Sequence, residues 1–140
     1  MGAYRDAQHL IDILSTLAER AKRSDAARGL REAGLVVAFV YHNPDVTVLM
    51  DGRTPTPDGS YMTMSFDTLG PKPDVTFEQS ADVGHQFWQG KLNVPAALAR
   101  GQVKARGAIA KALKLLPLLP ALYETYREVL RERGEEAMLG

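Results

Sequence analysis

The sequence predicts an α+β fold: one five-stranded, mostly antiparallel sheet with helices packed on one face, in a single domain. Three observations carry that prediction. From Tyr4 to Ala21, apolar side chains fall three or four positions apart, the spacing of a helix with one buried face. Between Leu35 and Gln79 come four short β-branched and aromatic segments, separated by Pro, Gly, Asn and Asp. After Ser80 the pattern returns to short helices, which enclose one further alternating segment. Strands that follow one another directly belong to antiparallel pairing rather than to βαβ units.

At 140 residues the chain is long enough to bury a core without staples. It has no cysteine, which excludes disulfides and thiolate metal sites. A formal net charge of zero argues against a nucleic-acid binder, which carries a basic excess. That charge is unevenly spread. Six Lys or Arg and no Asp or Glu fall between Val83 and Tyr123, so the rest of the chain is acidic by the same amount. The N-terminal residues lack the core of a signal peptide. The longest apolar runs, Leu35 to Tyr41 and Leu115 to Tyr123, are far short of a membrane span. The expectation is a soluble, cytoplasmic protein.

In the first helix Tyr4, Ala7, Leu10 or Ile11, Leu14, Leu17 or Ala18 and Ala21 form the apolar stripe. Ser24 and Asp25 are capping residues for a second helix, Ala26 to Glu32, which Gly34 stops. In Leu35 to Tyr41 both alternating sets are apolar, so this strand is buried on both faces. His42-Asn43-Pro44-Asp45 is turn chemistry, and Val46, Val48 and Met50 then alternate with Thr47 and Asp51. The stretch from Arg53 to Gly59 is a loop. Met62, Met64 and Phe66 form one face of a third strand, which Gly70-Pro71-Lys72-Pro73 breaks. Val75, Phe77 and Gln79 alternate with Thr76 and Glu78 in a fourth. Four strands joined by turns read as an antiparallel meander.

Ser80 or Asp82 caps a helix from Val83 to Gln89, closed by Gly90. Val94-Pro95 opens another that runs to Arg100. A fifth strand lies between Gly101 and Gly107, with Val103 and Ala105 inward and Gln102, Lys104 and Arg106 outward. A helix from Ala108 to Leu116 follows, and Pro117 and Pro120 prevent its continuation. Pro120 starts the last helix, with Leu122, Tyr126, Val129 and Leu130 on one face.

No catalytic constellation stands out. His9, His42 and His85 are far apart in the chain, and none has the spacing of a metal site. Asp82 and His85 share a helical face, the arrangement of a capping carboxylate beside a surface histidine. Asp51 and Asp67 each end a strand, the ordinary place for an aspartate. No G-x-S-x-G elbow, G-x-G-x-x-G or Walker sequence occurs. The reading is of a protein that is not an enzyme and has neither cofactor nor metal.

What the chain offers instead is apolar surface. Ile109, Ala112, Leu113, Leu115, Leu116, Leu118, Leu119 and Leu122 cover more of a helical wheel than one core-facing stripe requires. Such a segment is wholly buried, paired with another chain, or lining a cavity. Met50, Met62 and Met64 suit either an irregular core or a pocket that accepts several apolar shapes. Lys91, Arg100, Lys104, Arg106, Lys111 and Lys114 surround the leucines, as a solvated face or as an attraction to anionic lipid.

The order of these signals from Phe77 onward resembles the sterol carrier protein type 2 family. The resemblance lies in the strand VTFEQS, the aromatic-tipped helix ending in FWQGKLN, the strand GQVKARG between its glycines, and the leucine helix ALKLLPLL. It covers about the last 60 residues up to Leu119, and the strands around Asp51-Gly52 look like the first half of the family's sheet. It implies an apolar tunnel between sheet and helices that accepts sterols or fatty acyl chains. The chain then divides into an N-terminal helical segment, 1–34, and a sterol-carrier-like part, 35–140, within one structural unit. The end, AMLG, lacks the peroxisomal tripeptide of some members.

The expected function is therefore non-enzymatic binding and transfer of a long apolar lipid. The expected lining is Phe39, Val48, Met50, Met62, Met64 and Phe66 from the strands, with Phe87, Trp88, Leu113, Leu116, Leu119 and Leu122 from the helices. Lys104, Arg106, Lys111 and Lys114 are the expected contacts with a membrane or head group. The alternative is an accessory module that dimerises or docks on an enzyme of a lipid or isoprenoid pathway, for which the added N-terminal segment leaves room as a homodimer contact.

Overall fold

β1, Val36–His42, holds the centre of the sheet in a computed structural model that describes residues 2–140. It is flanked by β2 (Val46–Asp51) and β4 (Val75–Ser80), with β3 (Thr63–Phe66) outside β2 and β5 (Lys104–Gly107) outside β4. A strand that is apolar on both faces needs cover on both. Val37, Phe39 and Tyr41 join Val48, Val75 and Phe77 in the main core under the helices. Val36 and Ala38 meet Leu49 in a small second cluster on the opposite face.

The first three strands pair antiparallel, but the fourth does not extend the meander. β4 runs parallel to β1, with Phe39 opposite Phe77 and Tyr41 opposite Gln79. The expected four-stranded meander is corrected at this step, and the sheet is mixed. The reason lies in β1, since a meander would leave its buried backbone unpaired along one edge. The connection from Asp67 to Asp74 reaches that edge by crossing the outer face. Gly70 lies against Leu49 there, where a Cβ would come within 2.3 Å of its Cδ2 atom. Asp74 then donates its N–H to Val36 O at 2.8 Å, and its carboxylate accepts the Val36 N–H at 2.8 Å.

The helices cover the other face. α1 (Ala7–Ala21) is capped by Asp6, whose carboxylate accepts the His9 N–H, and buries Leu10, Ile13, Leu14, Leu17 and Ala21. It packs on β3 and on the last helix. α2 (Asp25–Ala33) is capped by Ser24, as expected. α3 (Ala81–Trp88) begins two residues earlier than the spacing suggests and is capped by Ser80. α4 (Val94–Ala99) is capped by Asn93. The helix expected over Ala108 to Leu116 is only one turn long, α5 (Ile109–Leu113), followed by a 3₁₀ turn, Leu116–Leu118. Pro117 explains the stop, because its ring meets the carbonyl four residues back, that of Leu113. α6 (Pro120–Glu132) buries Tyr126, Val129 and Leu130, and Glu132 takes two hydrogen bonds from Arg20 of α1.

A buried polar network ties both ends of the described chain to α3. The Tyr4 and Tyr126 hydroxyls are 2.5 Å apart, and Tyr126 Oη is 2.7 Å from His85 Nδ1. His85 Nε2 lies 2.7 Å from the Met138 carbonyl oxygen and 2.9 Å from Gln89 Nε2. Gln89 Oε1 accepts the Gly140 N–H at 3.1 Å. The expected surface histidine is thus corrected: His85 is buried, Ser80 is the cap, and Asp82 accepts the Ala3 N–H instead. Burial holds the His85 pKa below its ordinary value.

Two expectations follow from this packing. Gly107 has φ +96°, and a Cβ there would lie 2.2 Å from Asp74 O, whereas Gly101 has φ +74° in open space. Gly107→Ala is expected to cost at least ~2 kcal/mol and Gly101→Ala roughly 1 kcal/mol; equal losses on urea denaturation would rule out the close backbone contact. For His85, the unfolded chain takes up its proton first as pH falls. The stability owed to the neutral ring is complete above about pH 6.5 and declines toward the folded pKa. His42, raised by its hydrogen bond to Glu78, works in the opposite direction but is exposed. Between about pH 7 and about pH 5, the loss of unfolding free energy is expected to be smaller in His85→Gln than in wild type. An equal loss would assign it to other groups.

Candidate ligand cavity

A cavity of about 110 Å³ lies between the helix face of the sheet and the helices. The strands contribute Val37, Phe39, Met50, Met64, Phe77 and Gln79, all in the rows that alternate toward the helices. α1 and α2 contribute Leu17, Ala18, Ala21, Ala26, Ala27 and Leu30. Phe87 and Trp88 come from the end of α3, with Leu92, Val94 and Val103 beyond it. The leucine segment closes the remaining side with Ala112, Leu113, Leu115, Leu116, Leu119 and Leu122.

Ten of the twelve residues expected to line a pocket do so: Phe39, Met50, Met62, Met64, Phe87, Trp88, Leu113, Leu116, Leu119 and Leu122. The other two lie in one cross-strand row beside Phe39. Val48 is fully buried core, and Phe66 is half-buried at the outer strand. Sequence reasoning missed the contribution of the first two helices, which it treated as plain cover. The available signal was the run of small residues at Ala18, Ala21, Ala26 and Ala27, since short side chains on packed faces leave space. It also passed over Gln79, the one polar member of the row that contains Val75 and Phe77.

The lining carries no ionisable side chain. Its polar groups are the Trp88 indole and the Gln79 amide. Trp88 Nε1 donates to Tyr41 Oη at 3.0 Å, and burial raises the pKa of that phenol. Gln79 is 6% exposed, and its Oε1 has no hydrogen-bond partner among the described residues. A buried acceptor left in that state costs roughly 1–3 kcal/mol.

Of the three alternatives for the leucine segment, complete burial is corrected, and Leu113, Leu115, Leu116, Leu119 and Leu122 lie in the cavity wall. No residue of α5 or of the 3₁₀ turn is fully buried, and Leu118 faces outward. The basic residues divide between two surfaces. Lys111 and Lys114 are exposed on or beside α5, whereas Lys104 and Arg106 alternate with Ala105 and stand on the outer sheet face, Arg106 at 3.8 Å from Glu78. Asp51 and Asp67 lie toward opposite ends of β2. Asp51 accepts the Arg53 and Thr54 N–H groups, and Asp67 accepts the Thr47 N–H. Among the described residues no group of three or more His, Cys, Asp or Glu is placed to hold a metal, and no helix is long and apolar enough to cross a membrane.

No protein-family model and no curated protein sequence matches the chain. Solved structures do. The sterol carrier protein domain 2 of Helicoverpa armigera is 24% identical with a TM-score of 0.58, over 82% of this chain and 86% of that one. The ubiquinone synthesis protein UbiJ-SCP2 is 17% identical with a TM-score of 0.54, over 84% and 89%. The inverting sec-alkylsulfatase Pisa1 from a Pseudomonas species is 25% identical with a TM-score of 0.55 over 69% of this chain, which spans only 14% of the sulfatase. Sheet order, helix placement and these superpositions agree: the chain has the sterol carrier protein 2 fold.

Proposed function

We propose that the protein binds a long apolar lipid, of sterol or fatty acyl type, in this cavity and carries it through the cytoplasm without altering it. The observation that supports this reading is the lining, which is apolar at every position except Gln79 and the committed indole of Trp88. Each buried methylene contributes about 0.8 kcal/mol before ordering costs. At about 110 Å³ the cavity is below the roughly 150 Å³ that admits benzene, and a long lipid occupies several times that volume. Entry therefore displaces part of the wall. The leucine segment is the part that yields, because it has no fully buried residue to hold it. Lys111 and Lys114 flank it and suit a passing contact with an anionic membrane surface.

A second reading has its own support. The same fold forms a small part of the Pisa1 chain and stands alone in UbiJ-SCP2. In that reading the half-exposed leucines dock on an enzyme or on a second copy of this chain. Native mass spectrometry of protein purified from cells separates the two. A retained lipid mass is expected, and a ligand-free dimer would favour docking. The emission of Trp88 is expected to shift on titration with fatty acid or sterol. Ala112→Phe, which adds bulk from the half-buried side, is expected to weaken that binding about tenfold; unchanged affinity would place the ligand elsewhere.

A further inference from the structure

We infer that Gln79 is a hydroxyl-recognition site inside the cavity, which makes the ligand an uncharged lipid with an O–H to donate. This rests on the pocket reading above and adds the head group to it. Gln79 occupies the helix-facing row of β4, where Val75 and Phe77 are its companions. It lines the cavity, is 6% exposed, and presents an Oε1 with no partner among the described residues.

An amide oxygen only accepts, so an N–H or O–H donor is what completes it. The walls supply none. The one other polar group in the lining, the Trp88 N–H, is committed to Tyr41 at 3.0 Å. An ionised carboxylate fails on two counts: it has no proton to give, and no Lys, Arg or His lines the cavity to balance its charge. A fatty acid therefore enters un-ionised, and its O–H then donates as an alcohol's does. A hydrocarbon, an ester or an ether leaves the oxygen unsatisfied, because none of them donates. An alcohol donates its proton to Gln79 Oε1 and places its tail among the leucines and methionines. Straight-chain alcohols and sterols share that hydroxyl, so the test includes one of each.

The experiment measures the affinity of the full chain for dodecanol against its methyl ether, and for cholesterol against its methyl ether, by Trp88 fluorescence titration. Within the pair that fits, the alcohol is expected to bind roughly 3- to 10-fold more tightly, the size of one net neutral hydrogen bond. That pair also identifies the frame, chain or ring. In Gln79→Leu and Gln79→Met the alcohol and its ether are expected to bind alike, with the fold at least as stable as wild type. Binding without preference, or a preference that survives both substitutions, overturns the inference and leaves the pocket intact. So does a large loss of stability in both variants, since the amide would then have partners within the fold. Failure of all four ligands to bind wild type overturns the pocket reading itself.

Discussion

β1 carries apolar side chains on both faces, and no single layer of helices covers both. Its burial sets the rest of the topology. Both edges of the strand are paired, β2 on one and β4 on the other, and both faces are covered, by helices on one and by the Asp67–Asp74 crossing on the other. The crossing explains why β4 runs parallel to β1, since it returns the chain to the end of the sheet where β1 began. Asp74 fixes that junction through its two bonds to the Val36 backbone, and the one its carboxylate accepts from the Val36 N–H holds that carboxyl below the usual range.

The hollow on the helix face follows from two mismatches in the cover. Where α1 turns into α2, the side chains aimed at the sheet are alanines, too short to reach it. On the opposite side, Pro117 and Pro120 divide the leucine segment into one helical turn, a 3₁₀ turn and the start of α6. A continuous helix would present one stripe to the sheet and turn the remaining leucines to water. The broken path brings five leucines from three elements to one cavity and exposes Leu118 alone among its large apolar residues. Methionines 50, 62 and 64 complete the lining with unbranched side chains that adapt to irregular space.

Much of this was legible in the chain. The double-sided apolar pattern of Leu35 to Tyr41 identified the central strand, and strand parity placed Phe39, Met50 and Met64 on the helix face. The cap at Ser24, the pair Ser80 or Asp82 for the cap of α3, and the break at Pro117 were also visible, because they depend on local chemistry. What was hidden depends on distance in the chain. The pairing of β1 with β4 is non-local, and turn residues do not say which edge the next strand will join. The polar network was hidden for the same reason: Tyr4, His85 and Tyr126 each look unremarkable until folding brings three separate elements together. His85 read as a surface residue because the helical wheel of α3 does not show that α6 and the residues around Met138 cover it.

That network bears on how so small a cavity would admit a long ligand. α6 is one helix with two unlike halves. Tyr126, Val129 and Leu130 are completely buried, and Tyr126 is hydrogen-bonded to both Tyr4 and His85, so this half shares the stability of the core. Leu122, one turn earlier, is half-buried over the cavity, and the elements before it have no fully buried residue. Local opening costs least where the fewest contacts are lost. The leucine side of the cavity therefore gives way before the rest of the fold, while the far half of α6 keeps its place. A lining of leucine and methionine imposes little shape of its own once it moves. Under the binding proposed above, chemical selection falls to the wall that stays fixed, and on the β4 strand of that wall the polar lining side chain is Gln79.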